Sequence, residues 1–523
     1  MILLNNLKLP LDTDFSDLKS VIENMLKIKA NAVTLYKKSV DARRKNDLHF
    51  CCSVLIDTKN EQALLKKNKN AQIFTKKEYV WQKCNITPKF RPVVVGFGPC
   101  GIFCAYTLAK AGLKPLVIER GADVDTRTKD VNEFLNGGAL KENSNVQFGE
   151  GGAGTFSDGK LNTGIKDVRC RTVLETFVGF GADRKILTDA KPHIGTDVLS
   201  KVVKSIRQEI IALGGEVLFG TRLESINFEN KKIVSIIANG KEIPCDTVIL
   251  ATGHSARDVF SMLKEKSIEM VRKPFSVGVR IEHLQEDINK ALYGEFYNHP
   301  SLSAADYKLA THLSSGRGVY TFCMCPGGEV INSSSEENSL TVNGMSNSKR
   351  DGVNANSALL VGLEPEDFEG DDVLAGCEFQ RKIEKSAYEI LGGKVPVTTV
   401  GQFCFEKDFQ ITKVKPTVKP QYAFADFSKI FPQFVTESLK DGILEFDKKI
   451  EGFASEAAIL TAPETRSSSP VRIVRDESYQ SVSLSGLYPA GEGAGYAGGI
   501  MSASVDGMRV AEAIIKEYSQ KTN

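Results

Sequence analysis

Nowhere in the 523 residues does an apolar run approach the roughly 18 positions that a membrane-spanning helix needs. The opening stretch, MILLNNLKLPLDTDF, has acids where a secretory signal would keep its apolar core, so a cytoplasmic chain that engages no membrane is expected. An excess of one charge is missing as well. Against 67 Lys and Arg stand 65 Asp and Glu, a net charge of +2, and nothing in that balance calls for nucleic acid. The eleven cysteines contain no CxxC pair, and an odd number spread over so long a chain points to reduced, mostly buried thiols. His49, His193, His254, His283, His299 and His312 show no HxxxH-type spacing, so no metal site is expected. Internal repeats are absent too.

What is present is the composition of a globular protein, 41% hydrophobic and 25% charged, too long for one core and suggesting about two to four domains. Residues 1–88 alternate short elements. ILLNNLKL reads as a strand, SDLKSVIENMLKI as a helix, AVTLYKKSV and HFCCSVLID as two strands, EQALLKKNKN as a helix and AQIFT as a last strand. That βαββαβ order predicts a ferredoxin-like module. Its basic cluster, Lys37, Lys38, Arg43, Arg44 and Lys45, has the charge to touch phosphates, although a solvated hairpin end is the plainer reading.

The character changes at RPVVVGFGPCGIFCAYTLAKAGLKPLVIERG, which is strand, glycine turn, helix and strand, a βαβ unit. A helix over TDVLSKVVKSIRQEIIALGG follows, then a hairpin turning at Asn239-Gly240, then the buried strand of CDTVILATG. From about 270 to 450 the pattern is irregular, with a helix near 375 to 391. The end, LYPAGEGAGYAGGIMSASVDGMRVAEAII, returns to the style of the βαβ unit. The expected division is therefore 1–88, an N-terminal module; 89–268 and 450–523, the two parts of a nucleotide-binding domain; and 269–449, an inserted substrate domain.

In VVVGFGPCGIFCA, Gly96 permits a tight turn, Gly98 a close approach to a pyrophosphate, and Gly101 close helix packing. The diphosphate would lie on the amides of a helix opening at Pro99 and Cys100, with Cys100 serving only as a small apolar residue. Glu119, 23 residues past Gly96, stands where a carboxylate accepts from ribose hydroxyls, and Arg120 follows it. ERG after that strand, with two further glycine motifs downstream, favours FAD over NAD. Ala251, Thr252 and Gly253 end a buried strand beside the cofactor. Gly491 and Glu492 offer a carboxylate to the ribityl chain, and Gly498, Gly499, Ile500 and Met501 open a helix toward the electron-rich end of the flavin.

FGEGGAGTFSDGKL (148–161) spends five of fourteen positions on glycine. Gly151, Gly152 and Gly154 would let the backbone lie flat against the flavin, with Thr155 and Leu161 nearby and Lys160 placing a positive charge near its anionic edge. An exposed structural role is as open for that lysine.

VGFGPCG, FGEGGAGTFSDGKL, KPFSVGVRIEH, FCMCPGG, VNGMSNSKRDGVNANSALLVG, AGEGAGYAGGIMSASVDG and YKKSVDAR together resemble the bacterial FAD-dependent dehydrogenases of largely unassigned substrate. These flavoproteins have a glutathione-reductase-like FAD-binding fold. The resemblance covers nearly the whole chain and implies an α/β protein: a Rossmann-like, three-layer ββα domain for non-covalent FAD, an inserted α+β substrate domain and an N-terminal appendage. It also implies that the backbone of Leu223 meets the adenine. Glu492 departs from the broader pattern, where many relatives carry Asp.

No second GxGxxG follows a strand between 160 and 450, so a dedicated nicotinamide domain is not expected. NADH or NADPH would dock briefly over the flavin, or a small-molecule substrate would itself supply the hydride. Catalytic candidates are thin. Cys323 and Cys325 form a CxC whose disulfide ring would be strained, so two reduced thiols on a strand are expected. Arg280, His283 and Tyr496 could bind an acidic or carbonyl substrate or simply pack. The rival reading is a flavin-holding redox sensor that binds RNA or protein through its N-terminal module.

Overall fold

The computed structural model describes residues 1–520. Its centre is a five-stranded parallel sheet in the order Leu487–Pro489, Val248–Leu250, Val93–Val95, Leu116–Ile118, Glu216–Leu218. Each strand is three residues long, and its apolar alternation divides two cores. Val94, Val117 and Ile249 face the helices Pro99–Ala111, Thr196–Ala212 and Ile500–Gln520. Val93, Val95, Leu116 and Ile118 face Leu223, Ile226, Ile233 and Ile236 of a three-stranded antiparallel sheet. Period-2 alternation on a strand buried from both sides makes both sets apolar, which is why VVV and LVI carry no polar residue.

A second body is built on a seven-stranded sheet, ordered Ala310–His312, Gly318–Cys325, Asn354–Leu363, Phe275–Leu284, Ile459–Glu464, Val395–Thr399, Tyr422–Phe424. Its pairs are antiparallel except the last, Val395–Thr399 with Tyr422–Phe424. The chain enters through Met270–Arg272 and leaves through Val471–Ile473, and these two strands pair antiparallel with each other, Met270 opposite Ile473. The sheet thus runs past residue 449, the limit expected from the sequence. Ile459–Glu464 is buried along its whole length between two sheet partners, and nothing in its pattern, ILTAPE, marks a domain boundary.

At the N-terminus four antiparallel strands stand in the order Ala32–Asp41, His49–Asp57, Ile2–Leu9, Ala71–Ile73, with helices Leu18–Leu26 and Glu61–Lys67. This unit is tied down on both sides. Its apolar residues, Leu18, Ile22 and Phe50 among them, share one core with Phe275, Val277 and Tyr293 of the second body. Its edge at Lys38 pairs with residues 188–190 of the parallel-sheet body, Lys38 N donating to Thr188 O at 2.7 Å and Ala190 N to Lys38 O at 2.8 Å. Of the basic cluster, Lys38 lies over the Phe15 and Phe50 rings and Arg43 is held by Asp41.

Candidate functional site

A cavity of about 460 Å³ opens where the C-terminal ends of the parallel strands meet the seven-stranded sheet. That is the place where α/β sheets take ligands. Two helices begin on it: Gly98, Pro99 and Cys100 at one N-terminus, Gly498, Gly499 and Ile500 at the other. Two macrodipoles therefore turn their positive ends into one space.

The floor is glycine backbone. Gly96 has φ +97°, and a Cβ there would stand 2.5 Å from Ala251 O. Gly152, at φ +59°, backs directly onto Gly98, and Gly151 N donates to Phe97 O at 2.8 Å. The 148–161 segment is thus stacked on the first glycine turn, and both line the cavity. Holding the segment there is Arg127, wholly buried, whose guanidinium donates to the carbonyls of Asn145, Val146, Gly149, Glu150 and Gly152 and lies over Phe156. Burial lowers its pKa to about 10, offset in part by Glu119 and Glu150.

Of the residues expected from the sequence, Gly96, Gly98, Pro99, Cys100, Glu119, Arg120, Gly152, Gly154, Lys160, Leu223, Ala251, Thr252, Gly253, Glu492, Gly498, Gly499, Ile500 and Cys323 line this cavity. Glu119 accepts from the amides of Phe97, Gly121 and Gly149, so much of its capacity is spent on the loops. Gly101, Gly151, Thr155, Leu161, Gly491 and Met501 stand one layer behind. Thr155 bonds Glu150 O, and Gly491 N donates to Asp506.

Three candidates are drawn elsewhere. Arg280 is fully buried and spends its guanidinium on Asn356, Asn343, Glu464, the Cys323 carbonyl and the Cys325 sulfur, which leaves nothing for a substrate. His283 is bonded to Phe453 O in the core of the second body. Tyr496 is stacked against Arg475 and donates to Ile473 O. Each has a polar group bonded inside the protein, although His283 Nδ1 is buried without a partner, and such a demand looks the same in sequence as a demand for substrate.

Charge in the cleft is arranged in pairs. Lys160 donates to buried Asp158 and to Met324 O, and Arg350 from the second body grips the same Asp158. Burial alone would raise the Asp158 carboxyl, but Lys160 and Arg350 hold it below its ordinary value. Glu492 Oε1 lies 3.5 Å from His254 Nδ1. Burial lifts Glu492 to about 7 and drops His254 to about 4, so near pH 7 the imidazole is neutral and the carboxyl is divided between its protonated and ionised forms. Glu464 is likewise raised to about 7 by burial against the pull of Arg280.

Sequence reasoning missed His254, Ser255, Tyr307, Asn343, Glu464 and Arg466, which also line the cavity. Tyr307 OH is buried without a hydrogen-bond partner. Behind this wall Glu384 joins Arg257 and Arg466, each at 2.9 Å, and accepts from Thr465 and Ser339. Only the ATGHS and ETRSSS runs, polar residues closing apolar strands, hint at the group.

Residues 90–273 match the family model of pyridine nucleotide-disulphide oxidoreductases, and 274–467 that of FAD-dependent protein, C-terminal domain-like; residues 1–57 match a domain of unknown function. A Clostridium beijerinckii protein described as uncharacterized is 49% identical over 526 residues, spanning 98% of each chain. Among solved structures, a geranylgeranyl bacteriochlorophyll reductase-like protein from Thermoplasma acidophilum superposes with a TM-score of 0.36 at 13% identity, covering 83% of this chain and 79% of its own. L-proline dehydrogenase from P. horikoshii gives 0.34 at 12%, covering 84% and 94%. Likenesses so distant carry no weight for this chain's chemistry.

Proposed function

The chain belongs to a family of FAD-dependent oxidoreductases, and from that premise we propose that it is a dehydrogenase or reductase passing a hydride between FAD and a small organic substrate, with NADH or NADPH as donor. The observation that carries this reading is the pair of helix N-termini opening on a single glycine-floored cavity. A diphosphate at the middle of the cofactor and an electron-rich ring edge at one end of it ask for that arrangement. The residues fit FAD: at Gly98, on the cavity, a Cβ would meet nothing nearer than the Gly152 Cα at 3.7 Å, so the glycine leaves that space bare, and the amides after Pro99 are free to receive phosphate.

Bound FAD supplies the two-electron acceptor and donor. Glu119 and Arg120 would hold the ribose, Leu223 the adenine and Glu492 the ribityl chain. Gly498 to Met501 set the second helix toward the ring. Glu492, raised to about 7 and so partly protonated near neutral pH, is able to donate or accept a proton there. In this reading the N-terminal unit is a ferredoxin-like module, and the seven-stranded body is the substrate domain.

The test is the visible spectrum of the purified full chain with FAD, titrated with NADH and then NADPH without oxygen. Bleaching of the flavin band near 450 nm, roughly where flavins absorb, is the expected result. A flavin that neither nucleotide reduces would overturn the nicotinamide donor, and a protein that binds no FAD would overturn the whole reading.

A further inference from the structure

The cavity wall supplied by the seven-stranded sheet is built around Arg280. Phe322 stands opposite Ala358, and Ala358 opposite Arg280, so the three share one face of the sheet. Beyond Phe322 the register slips before Cys325 meets Asn356. At the slip Cys323 takes φ +43°, the left-handed region that a side chain rarely adopts, and its carbonyl accepts from Arg280 Nη2 at 2.7 Å. Val342–Met345 lies on the same face because residue 344 is glycine: a Cβ there would run into the Arg280 guanidinium and Asn356 Oδ1. Strand and ribbon thus converge on one buried cation.

From that cation two side chains are held at the cavity. Arg280 Nη1 donates to Glu464 Oε2 at 3.1 Å and to Asn343 Oδ1 at 3.4 Å, and the amide of Gly344 donates to the same Asn343 oxygen at 2.8 Å. Both neighbours of the Asn343 amide are donors only, so Oδ1 must face them and Nδ2 is turned the other way. Nδ2 donates to none of the described residues, and Asn343 is only half-buried. Satisfying Arg280 accounts for the Asn343 oxygen and for Glu464; it does not account for this open donor. Glu464 is buried, and burial against the pull of Arg280 leaves it at about 7, able to carry a proton near neutral pH. Two strand spacings from Arg280, about 10 Å, the Phe322 ring is 39% exposed on the same cavity wall.

We propose that Asn343 and Glu464 together take the carbonyl oxygen of a small ketone whose apolar substituent lies on Phe322, Asn343 orienting that oxygen and Glu464 protonating it. This rests on the FAD reading for its hydride. A carbonyl oxygen accepts two hydrogen bonds, and an open amide donor and a protonated carboxyl pinned to one nitrogen supply them. The carbonyl carbon gains the hydride from reduced FAD, and the C–O π pair moves onto oxygen. The oxygen takes the Glu464 proton, so one O–H bond forms as the carboxyl O–H breaks. The ketone has gained two electrons and two hydrogens and leaves as a secondary alcohol. Arg280 faces the carboxylate that remains, which regains its proton from solvent. In this step Arg280 is a positioning residue and never meets the substrate.

The test uses the full chain, with acetophenone as probe and α-methylstyrene, which has the same outline and no carbonyl oxygen, as its control. Without added FAD, ligand-observed NMR should find acetophenone held about tenfold more tightly than α-methylstyrene. Infrared difference spectra should place the carbonyl stretch of bound acetophenone lower in the wild-type chain than in Asn343→Leu. Glu464→Gln keeps a hydrogen-bond donor and has no proton to give. It should bind acetophenone about as well as the wild type yet, with FAD bound and photoreduced without oxygen, form 1-phenylethanol at least about a hundredfold more slowly. Equal affinity for the two probes, an unmoved stretch in Asn343→Leu, or equal alcohol formation with and without Glu464 overturns the proposal, and the first of these needs no variant to fold. A chain that prefers acetophenone but takes up no FAD sinks the flavin reading alone; one that takes up FAD and shows no such preference sinks only this inference.

Discussion

Gly98 and Gly152 meet backbone to backbone, so closely that a Cβ added to Gly152 would stand 3.0 Å from the Gly98 Cα. Gly152→Ala must accept both that contact and φ +59°, and a loss of about 1–3 kcal/mol in urea unfolding is expected even without cofactor. Gly498→Ala is the control, because a Cβ there meets no atom within 4 Å. Its stability should stay within about 0.5 kcal/mol while its affinity for FAD, measured by fluorescence quenching, falls. Unchanged affinity would mean that this backbone does not touch the cofactor.

Glu492 makes stability depend on pH in a set direction. Its carboxyl keeps a proton to about 7 in the native chain, against 4.5 as an ordinary value, so the folded state binds more protons across that window. Stability is then lost as pH rises through it. Glu492→Gln removes the loss: the two proteins should unfold alike at pH 4, with the variant the more stable at pH 8. Parallel urea midpoints at all pH values would contradict the assignment.

Glu384 stands in the opposite regime. Burial would raise it, but Arg257 and Arg466 hold its carboxyl far below the usual range, so its contribution is full above pH 4.5 and disappears only in strong acid. Glu384→Gln takes from Arg466 its carboxylate partner and leaves Arg257 with Glu336 alone, and should cost about 3–5 kcal/mol at pH 7. A loss under 1 kcal/mol would show that water reaches them.

Arg127→Leu tests the bracket beneath the cavity. Five carbonyls lose their donor at once, an expected cost of about 2–5 kcal/mol. FAD affinity should fall as well, because Gly152 loses the bond that positions it. Calorimetric unfolding with and without FAD separates the two effects.

The parallel-sheet body is readable in the sequence because its signals are local. Gly96 and Gly98 follow VVV directly, and the Gly214-Gly215 stop closes its helix at the right distance. The cavity residues contributed by those turns were legible for the same reason. The far wall was not: Glu384 meets partners 127 and 82 residues away, and no periodicity records such a meeting. Arg280 and His283 mislead because a buried polar residue must be satisfied, and sequence does not tell whether protein or substrate does so. Cys323 belongs to both cases. Its CxC is visible, but the slip that turns the strand is set by Asn354–Leu363, which lies beyond it in the chain.

The two strands by which the chain enters and leaves the second body lie edge to edge, Met270 against Ile473. Two crossings placed side by side give the bodies one axle rather than two separated anchors. The N-terminal unit spans that axle from outside, sharing its core with one body and holding the other at Lys38. Residues that precede the first glycine turn thus bridge the two bodies between which the cleft lies.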